Sequence, residues 1–282
     1  MLNMNKLLSA NFARLKKDTA LKLCIIFMFV MGVLLPFMNY RTMTAYDIPI
    51  YIDGSFFDYI SFMAIIFPAF CSLFIGTEYN DGTIRNKLII GHKRMDIYLS
   101  NLAACIAAGA AMCIAYLIPY LAAGIPLMGF FNIDHISTIW ILLGCSLMLI
   151  IALASIFTLV SMLNQNKALS AVICILGLFV LLIAGIMINN QLSMPEYYDE
   201  YAYIDPDTKE LVTEPSMANP FYIQGTQRKI YEFLNDFLPG SQIVRLSSMD
   251  VPYPEILSMY SGIIAIAATS LGIFFFRKED IK

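Results

Sequence analysis

The sequence predicts an all-α integral membrane protein with six transmembrane helices and both termini in the cytoplasm. Three observations lead there. Mean hydropathy is +0.70. Only 14% of the 282 residues are Asp, Glu, Lys or Arg, against roughly 25% in a soluble domain. The apolar residues are also bunched into runs reaching the ~20 residues that a helix needs to cross ~30 Å of hydrocarbon.

Taken in order, residues 1–20 place Met4, Leu7, Leu8, Phe12 and Leu15 on one helical face and Lys6, Arg14 and Lys17 on the other. That pattern suits an amphipathic interfacial helix in the cytoplasmic headgroup plane, as a lipid anchor, a partner-docking element or both. Spans are expected at about 21–40, 57–77, 97–128, 138–163, 168–189 and 256–276. The first is longer than a signal-peptide core and no small-x-small cleavage site follows Tyr40, so it reads as a retained helix. The third carries Pro119 and Pro126 and should tilt, kink or end in a broken turn near its outer side. Leu163 to Lys167 is a tight hairpin between spans four and five.

Orientation follows from charge. With the N-terminus inside, the inner segments hold thirteen of the eighteen Lys and Arg but only six of the 21 acidic residues. All six cysteines fall within expected spans rather than in outer loops, so they read as small packing residues and not as a disulfide framework. Trp140, Tyr116 and Tyr120 read as interface aromatics.

The largest outer segment, 190–255, opens acidic and tyrosine-rich (EYYDEYAYIDPDTKE) and carries seven prolines. Then QRKIYEFLNDFLPG sets Ile230, Phe233, Leu234, Phe237 and Leu238 at i, i+3, i+4, i+7 and i+8. This predicts one amphipathic helix ended by Pro239-Gly240. With a single helix, the segment is too slight for an enzyme domain. It reads as an extracellular lid on the outer membrane face, either a structural cap or a gate that meets the substrate.

Several functions are disfavoured. Spans three to six have no Asp, Glu, Lys, Arg or His in their interiors; Lys22 and Asp58 sit at span edges. Ion-coupled carriers keep such a residue at membrane depth. No G-x-x-x-x-G-K-[ST] loop occurs. His92 and His135 fall on opposite sides of the membrane and cannot share a metal, and no Ser-His-Asp or Cys-His assembly is in reach. The chain is therefore expected to bind no cofactor or metal of its own, to engage membrane lipid rather than nucleic acid, and to need an outside source of energy.

Against that background, EYNDGTIRNKLIIGHKR at 78–94 is distinctive. Asp81 is placed to cap a short helix with Gly82-Thr83 in its first turn, and Gly91 to end it. Ile84 and Leu88 share a face, while Arg85, Asn86 and Lys87 spread over the others. A positive-inside loop with ordinary caps is the plainer reading; a rigid two-sided helix that moves two spans together is the sharper one.

The segment resembles the signature of permease subunits of type-2 ABC exporters. There, span two ends in Glu and continues E-Y-x-x-G-T-[IL]-[KR]-x-x-L before a basic residue. Glu78, Tyr79, Gly82, Thr83, Ile84, Arg85, Leu88 and Arg94 stand at matching positions. The six-span layout, the N-terminal helix and the large fifth-to-sixth outer loop agree, so the resemblance covers nearly the whole chain as one transmembrane domain, 1–282. It implies that two permease chains pair, as a homo- or heterodimer, and that each binds a separate cytoplasmic ATPase subunit carrying ATP and Mg. It further implies that the 78–95 loop is a coupling helix resting in a cleft of that ATPase. Glu78, Tyr79, Asp81, Gly82, Thr83, Ile84, Arg85, Asn86, Lys87, Leu88 and Arg94 would then be the coupling residues, with Glu78 hydrogen-bonded within the bundle. Many relatives have Pro where this chain has Gly91-His92, which leaves the far end of the helix open.

The leading expectation is the permease of an ATP-driven exporter in a bacterial plasma membrane. Its substrate would be amphipathic: an antimicrobial or toxin peptide, a drug or a lipid-like molecule. A non-transporting sensor or immunity protein that sequesters a toxin is the alternative. A lipid-acting enzyme would need a polar cluster at one interface, which the sequence does not offer.

Overall fold

The computed structural model describes residues 2–131, 136–204, 209 and 211–280. Six helices long and apolar enough to span a membrane are present among them. The element order is α1 (Leu2–Lys17), α2 (Thr19–Tyr46), a 3₁₀ turn (Ile52–Ser55), α3 (Tyr59–Asn80), α4 (Thr83–Ile89), α5 (Arg94–Met128), α6 (Ile136–Leu163) and α7 (Lys167–Leu192). A hairpin of β1 (Tyr197–Tyr198), β2 (Tyr201–Ile204), β3 (Leu211–Glu214) and β4 (Met217–Ala218) follows, then α8 (Gly225–Phe237), α9 (Pro239–Ser247) and α10 (Pro254–Lys278). The spanning helices are α2, α3 (with the 3₁₀ turn before it), α5, α6, α7 and α10. We call the end of the bundle that carries α1 and α4 basal, and the end that carries the hairpin and α8 distal.

The helices of greatest burial, α3, α5 and α6, form the centre, while α2, α7 and α10 expose most of their apolar surface. Aromatic side chains fill the middle: Phe67, Phe70, Phe74 and Phe157 are buried and in ring contact. Close crossings depend on glycine. A Cβ on Gly32 of α2 would come within 2.5 Å of the Tyr116 carbonyl oxygen on α5, so only hydrogen fits there.

Local chemistry explains the boundaries. Asp18 caps α2, its Oδ1 accepting from the Leu21 amide at 2.8 Å. Asn166 caps α7 in the same way, accepting from Ala168 and Leu169, which closes the expected hairpin after α6. The third span is longer than its apolar run: α5 is continuous over 35 residues, about 52 Å of helix. It passes through Pro119 and Pro126 and ends at Gly129, whose φ is 88°. All six cysteines are free thiols.

Three expectations are corrected. Arg14 does not belong to the exposed face of α1: the buried face is Leu7, Asn11 and Leu15, with Arg14 beside them, and Phe12 is exposed. Tyr116 and Tyr120 are not interface aromatics. Both are fully buried and donate to backbone carbonyls, Tyr116 to Ser55 at 2.9 Å and Tyr120 to Ile52 at 2.7 Å; Trp140, by contrast, is 71% exposed. The two tyrosine hydroxyls tie the 3₁₀ turn before α3 to α5 by bonding its backbone carbonyls.

The third correction concerns 190–255, where the expected helix does end just before Pro239-Gly240 but a second helix follows it. Leu238 closes α8 and Pro239 opens α9, as a residue without an N–H is free to do at a first helical position. Gly240 rests on the α7 backbone, where a Cβ would fall 1.9 Å from the Leu181 oxygen, and Gly185 of α7 meets Ser241 reciprocally. Leu181 lies eleven residues before the end of α7, about 16 Å down the helix axis. Helix α9 is thus wedged against α7 in the distal half of the bundle. The hairpin pairs β1 with β4 and β2 with β3, both antiparallel.

Candidate functional site

The basal site begins where α3 ends. Asp81 takes the C-cap position of α3 and its side chain is exposed. The residue that turns the chain is Gly82, at φ 65° and ψ 12°, and it stands as N-cap of α4 without a side-chain hydrogen bond. Asp81 is therefore not the helix cap, because the left-handed turn places glycine there. Thr83 folds back instead, its Oγ1 donating to the Glu78 carbonyl at 2.9 Å. At the far end, Gly91 (φ 95°) donates to the Leu88 oxygen at 3.0 Å and His92 to the Lys87 oxygen at 3.1 Å. This is a Schellman termination, so Gly91-His92 ends the helix by glycine geometry.

Helix α4 is two-sided. Ile84 is fully buried and Leu88 packs partly against the core. Lys87 turns inward to an ion pair with Glu78. Arg85 and Asn86 are exposed, as are Ile89 and Ile90 at 73% and 76%. Sequence reasoning passed over this isoleucine pair, although two adjacent aliphatics before a terminating glycine were a signal.

Behind α4, Glu78 is only 2% exposed and joins four helices. Its Oε1 receives Arg14 of α1 and Lys87 of α4 in ion pairs, and its Oε2 accepts from Asn101 Nδ2 of α5 at 2.8 Å. Asn11 of α1 extends the network, donating to Ser100 Oγ at 3.1 Å and Asn101 Oδ1 at 3.0 Å and accepting from Lys87 Nζ at 3.2 Å. Arg14 also lies over the Phe74 ring, 3.7 Å from its centroid. Burial pushes the Lys87 ammonium below its ordinary pKa, and the Glu78 charge opposes that shift. Two cations on one buried carboxylate lock the relative positions of α1, α3, α4 and α5, since each group would be costly to bury alone. Asn11, Asn101 and Arg14 were also missed. A polar residue on the Leu7–Leu15 face of α1 was the available clue.

The remaining signature residues hold other elements. Tyr79 donates its hydroxyl to the Met162 carbonyl at the end of α6. Arg94 turns away from α4 towards α10, donating to the carbonyls of Phe276 at 2.6 Å and Glu279 at 2.5 Å. Of the coupling set, therefore, Glu78, Tyr79, Thr83, Ile84, Lys87 and Arg94 face the bundle, Gly82 makes the turn, Leu88 straddles, and Asp81, Arg85 and Asn86 face solvent.

The chain fits one family. The family model described as ABC-2 family transporter protein matches residues 7–181, more than half of the chain. The chain belongs to the ABC-2 transporter family. Comparison with curated proteins and with solved structures gave no match. As an ABC-2 family member it is a multi-pass membrane permease of an ABC transporter, a transport component whose partner is an ABC ATPase. The matched residues include the whole basal network from Asn11 to Asn101, and stop before α8 and α9.

At the distal end four of the five candidate gate residues lie on α8 and Leu238 is its C-cap, but they do not share one environment. Ile230 and Phe233 are about half exposed, while Leu234, Phe237 and Leu238 are partly covered. Phe233 and Phe237 stack at 5.5 Å and both meet the Tyr260 ring of α10 edge-on, at 5.8 and 5.6 Å. Beneath them Arg245 pairs with Asp236, and Gln242 donates to the Asp236 carbonyl at 2.7 Å. An apolar groove of about 220 Å³ opens between α5 and α6, lined by Phe56, Leu117, Leu121, Phe131 and Trp140 among others. Among the described residues, no three His, Cys, Asp or Glu side chains are placed to hold a metal ion; His135 lies outside the described residues.

Proposed function

We propose that this permease works in a plasma membrane as part of an ATP-driven exporter of an amphipathic substrate, such as an antimicrobial or toxin peptide, a drug or a lipid-like molecule. The basal end faces the cytoplasm, where α4 docks into a separate ATPase subunit holding ATP and Mg, and a second permease chain completes the unit. One observation carries the reading: α4 offers Arg85, Asn86, Ile89 and Ile90 to solvent while its inner face is fixed to α1, α3 and α5 through Lys87 and Glu78. A helix exposed on one side and locked on the other transmits a push rather than yielding to it. The exposed aliphatic pair flanked by a guanidinium is the composition of a small protein interface. The apolar groove between α5 and α6, and the half-exposed aromatic face of α8, support an amphipathic substrate.

The test is co-purification of the permease with its ATPase from membranes. Replacing Ile89 and Ile90 by Asp should abolish the complex and leave the yield of folded permease unchanged. Undiminished complex with normal ATP turnover would refute the docking role of α4.

A further inference from the structure

We propose that Arg94 and the Gln242–Ser261 pair are positioning residues that make α10 the member carrying a displacement of α4 to the distal helices α8 and α9. This rests on the docking role of α4. Arg94 opens α5 just after α4 ends, and its guanidinium donates to Phe276 and Glu279 carbonyls at the basal end of α10. Those oxygens are the ones a helix C-terminus leaves without intrahelical partners. The same guanidinium lies 5.7 Å from the Phe276 ring centroid. One turn further, Tyr98 of α5 packs so closely on α10 that a Cβ on Gly272 would come within 2.1 Å of its hydroxyl. The basal end of α10 therefore follows the start of α5.

The other end of α10 is tied to both distal helices. Ser261 Oγ donates to Gln242 Oε1 of α9 at 2.7 Å, with both residues fully buried, and Tyr260 carries the two α8 aromatic rings. From Ser261 to Phe276 the helix is uninterrupted and free of proline, about 22 Å of axial rise. It lies along α6, whose basal end is held by Tyr79, so the two move as a pair. A rival route runs from α3 to α7 through the Lys167–Thr77 hydrogen bond and on to α9 at Gly185.

Hydrogen–deuterium exchange on the permease–ATPase complex in lipid nanodiscs, with and without Mg·ATP and orthovanadate, separates them. In the unaltered protein, vanadate trapping should change exchange about fivefold or more in both α4 and α8–α9. Arg94→Gln and Ser261→Ala should each keep the α4 response and lose the distal one. Arg94→Lys, which keeps the charge and reaches one carbonyl, should regain part of it. Lys167→Met and the lipid-facing control Ile266→Ala (71% exposed) should leave both responses intact. A distal response that survives Arg94→Gln, or one abolished by Lys167→Met alone, overturns the proposal. Silence at α8–α9 beside a responding α4 sinks it while sparing the docking role; silence at α4 in the unaltered complex sinks the docking role and the proposal with it.

Discussion

The two ends of the bundle hold helices together by opposite means. At the basal end a single carboxylate, Glu78, gathers Arg14, Lys87 and Asn101 from three other elements. At the distal end α9 is seated by backbone contact, Gly240 on Leu181 and Gly185 on Ser241, with neutral hydrogen bonds and one ion pair around it. Charge at the basal end draws distant chain segments to one point and tolerates small shifts, because Coulombic attraction falls off slowly. Glycine contact at the distal end is steric and tolerates almost none. A site that receives a push is well served by the first, and a wedge that must stay in register by the second.

Glu78→Gln should have the largest effect. It leaves two cations without their counterion and should cost about 3–5 kcal/mol, read as a lowered unfolding midpoint in nanodiscs. The double change Glu78→Gln, Lys87→Met should cost less than the sum of the two single changes.

Gly240→Ala tests the other end. Its methyl group must drive α9 off α7, and a loss of about 2–3 kcal/mol is expected, with faster proteolysis between α8 and α10 and no change at α4. If the loss were within about 0.5 kcal/mol, the wedge would be less closely packed than described.

Two neighbouring residues then sharpen how the basal turn is made. Gly82→Ala forces a Cβ into left-handed backbone and should cost about 1–2 kcal/mol. Asp81→Ala, exposed and without a capping bond, should change stability by less than about 0.5 kcal/mol. A larger effect at Asp81 than at Gly82 would reinstate Asp81 as the cap.

Much of the membrane architecture was readable because hydropathy and helix length are local properties. The runs at 138–163 and 168–189 became α6 and α7 with only small extensions. The short helix after the second span was also legible, since Ile84 and Leu88 share a face and Gly91 marks its end, although its start was placed on Asp81 rather than on the left-handed Gly82. Arg14 was misplaced because a wheel sorted by polarity assigns every charge to the outer face, and only the approach of Glu78 from α3 makes an inward arginine favourable. Tyr116 and Tyr120 were misread for the same reason: their hydroxyls answer carbonyls some sixty residues away. Pro239 is a helix breaker by its own chemistry, yet it starts α9 because α7 presents Gly185 to receive the turn.

What the sequence determined by itself is thus the number of spans, the basic bias of one side and the existence of a two-sided helix at 83–89. Each depends on residues within a turn or two of one another. What only the tertiary structure decided is which polar groups join Glu78 inside: its two cations, Asn11 and Asn101, together with the buried tyrosine hydroxyls and the depth of α9. Those outcomes are set by partners far along the chain. A buried polar group is favourable only when such a partner is in reach, and the fold alone brings them together.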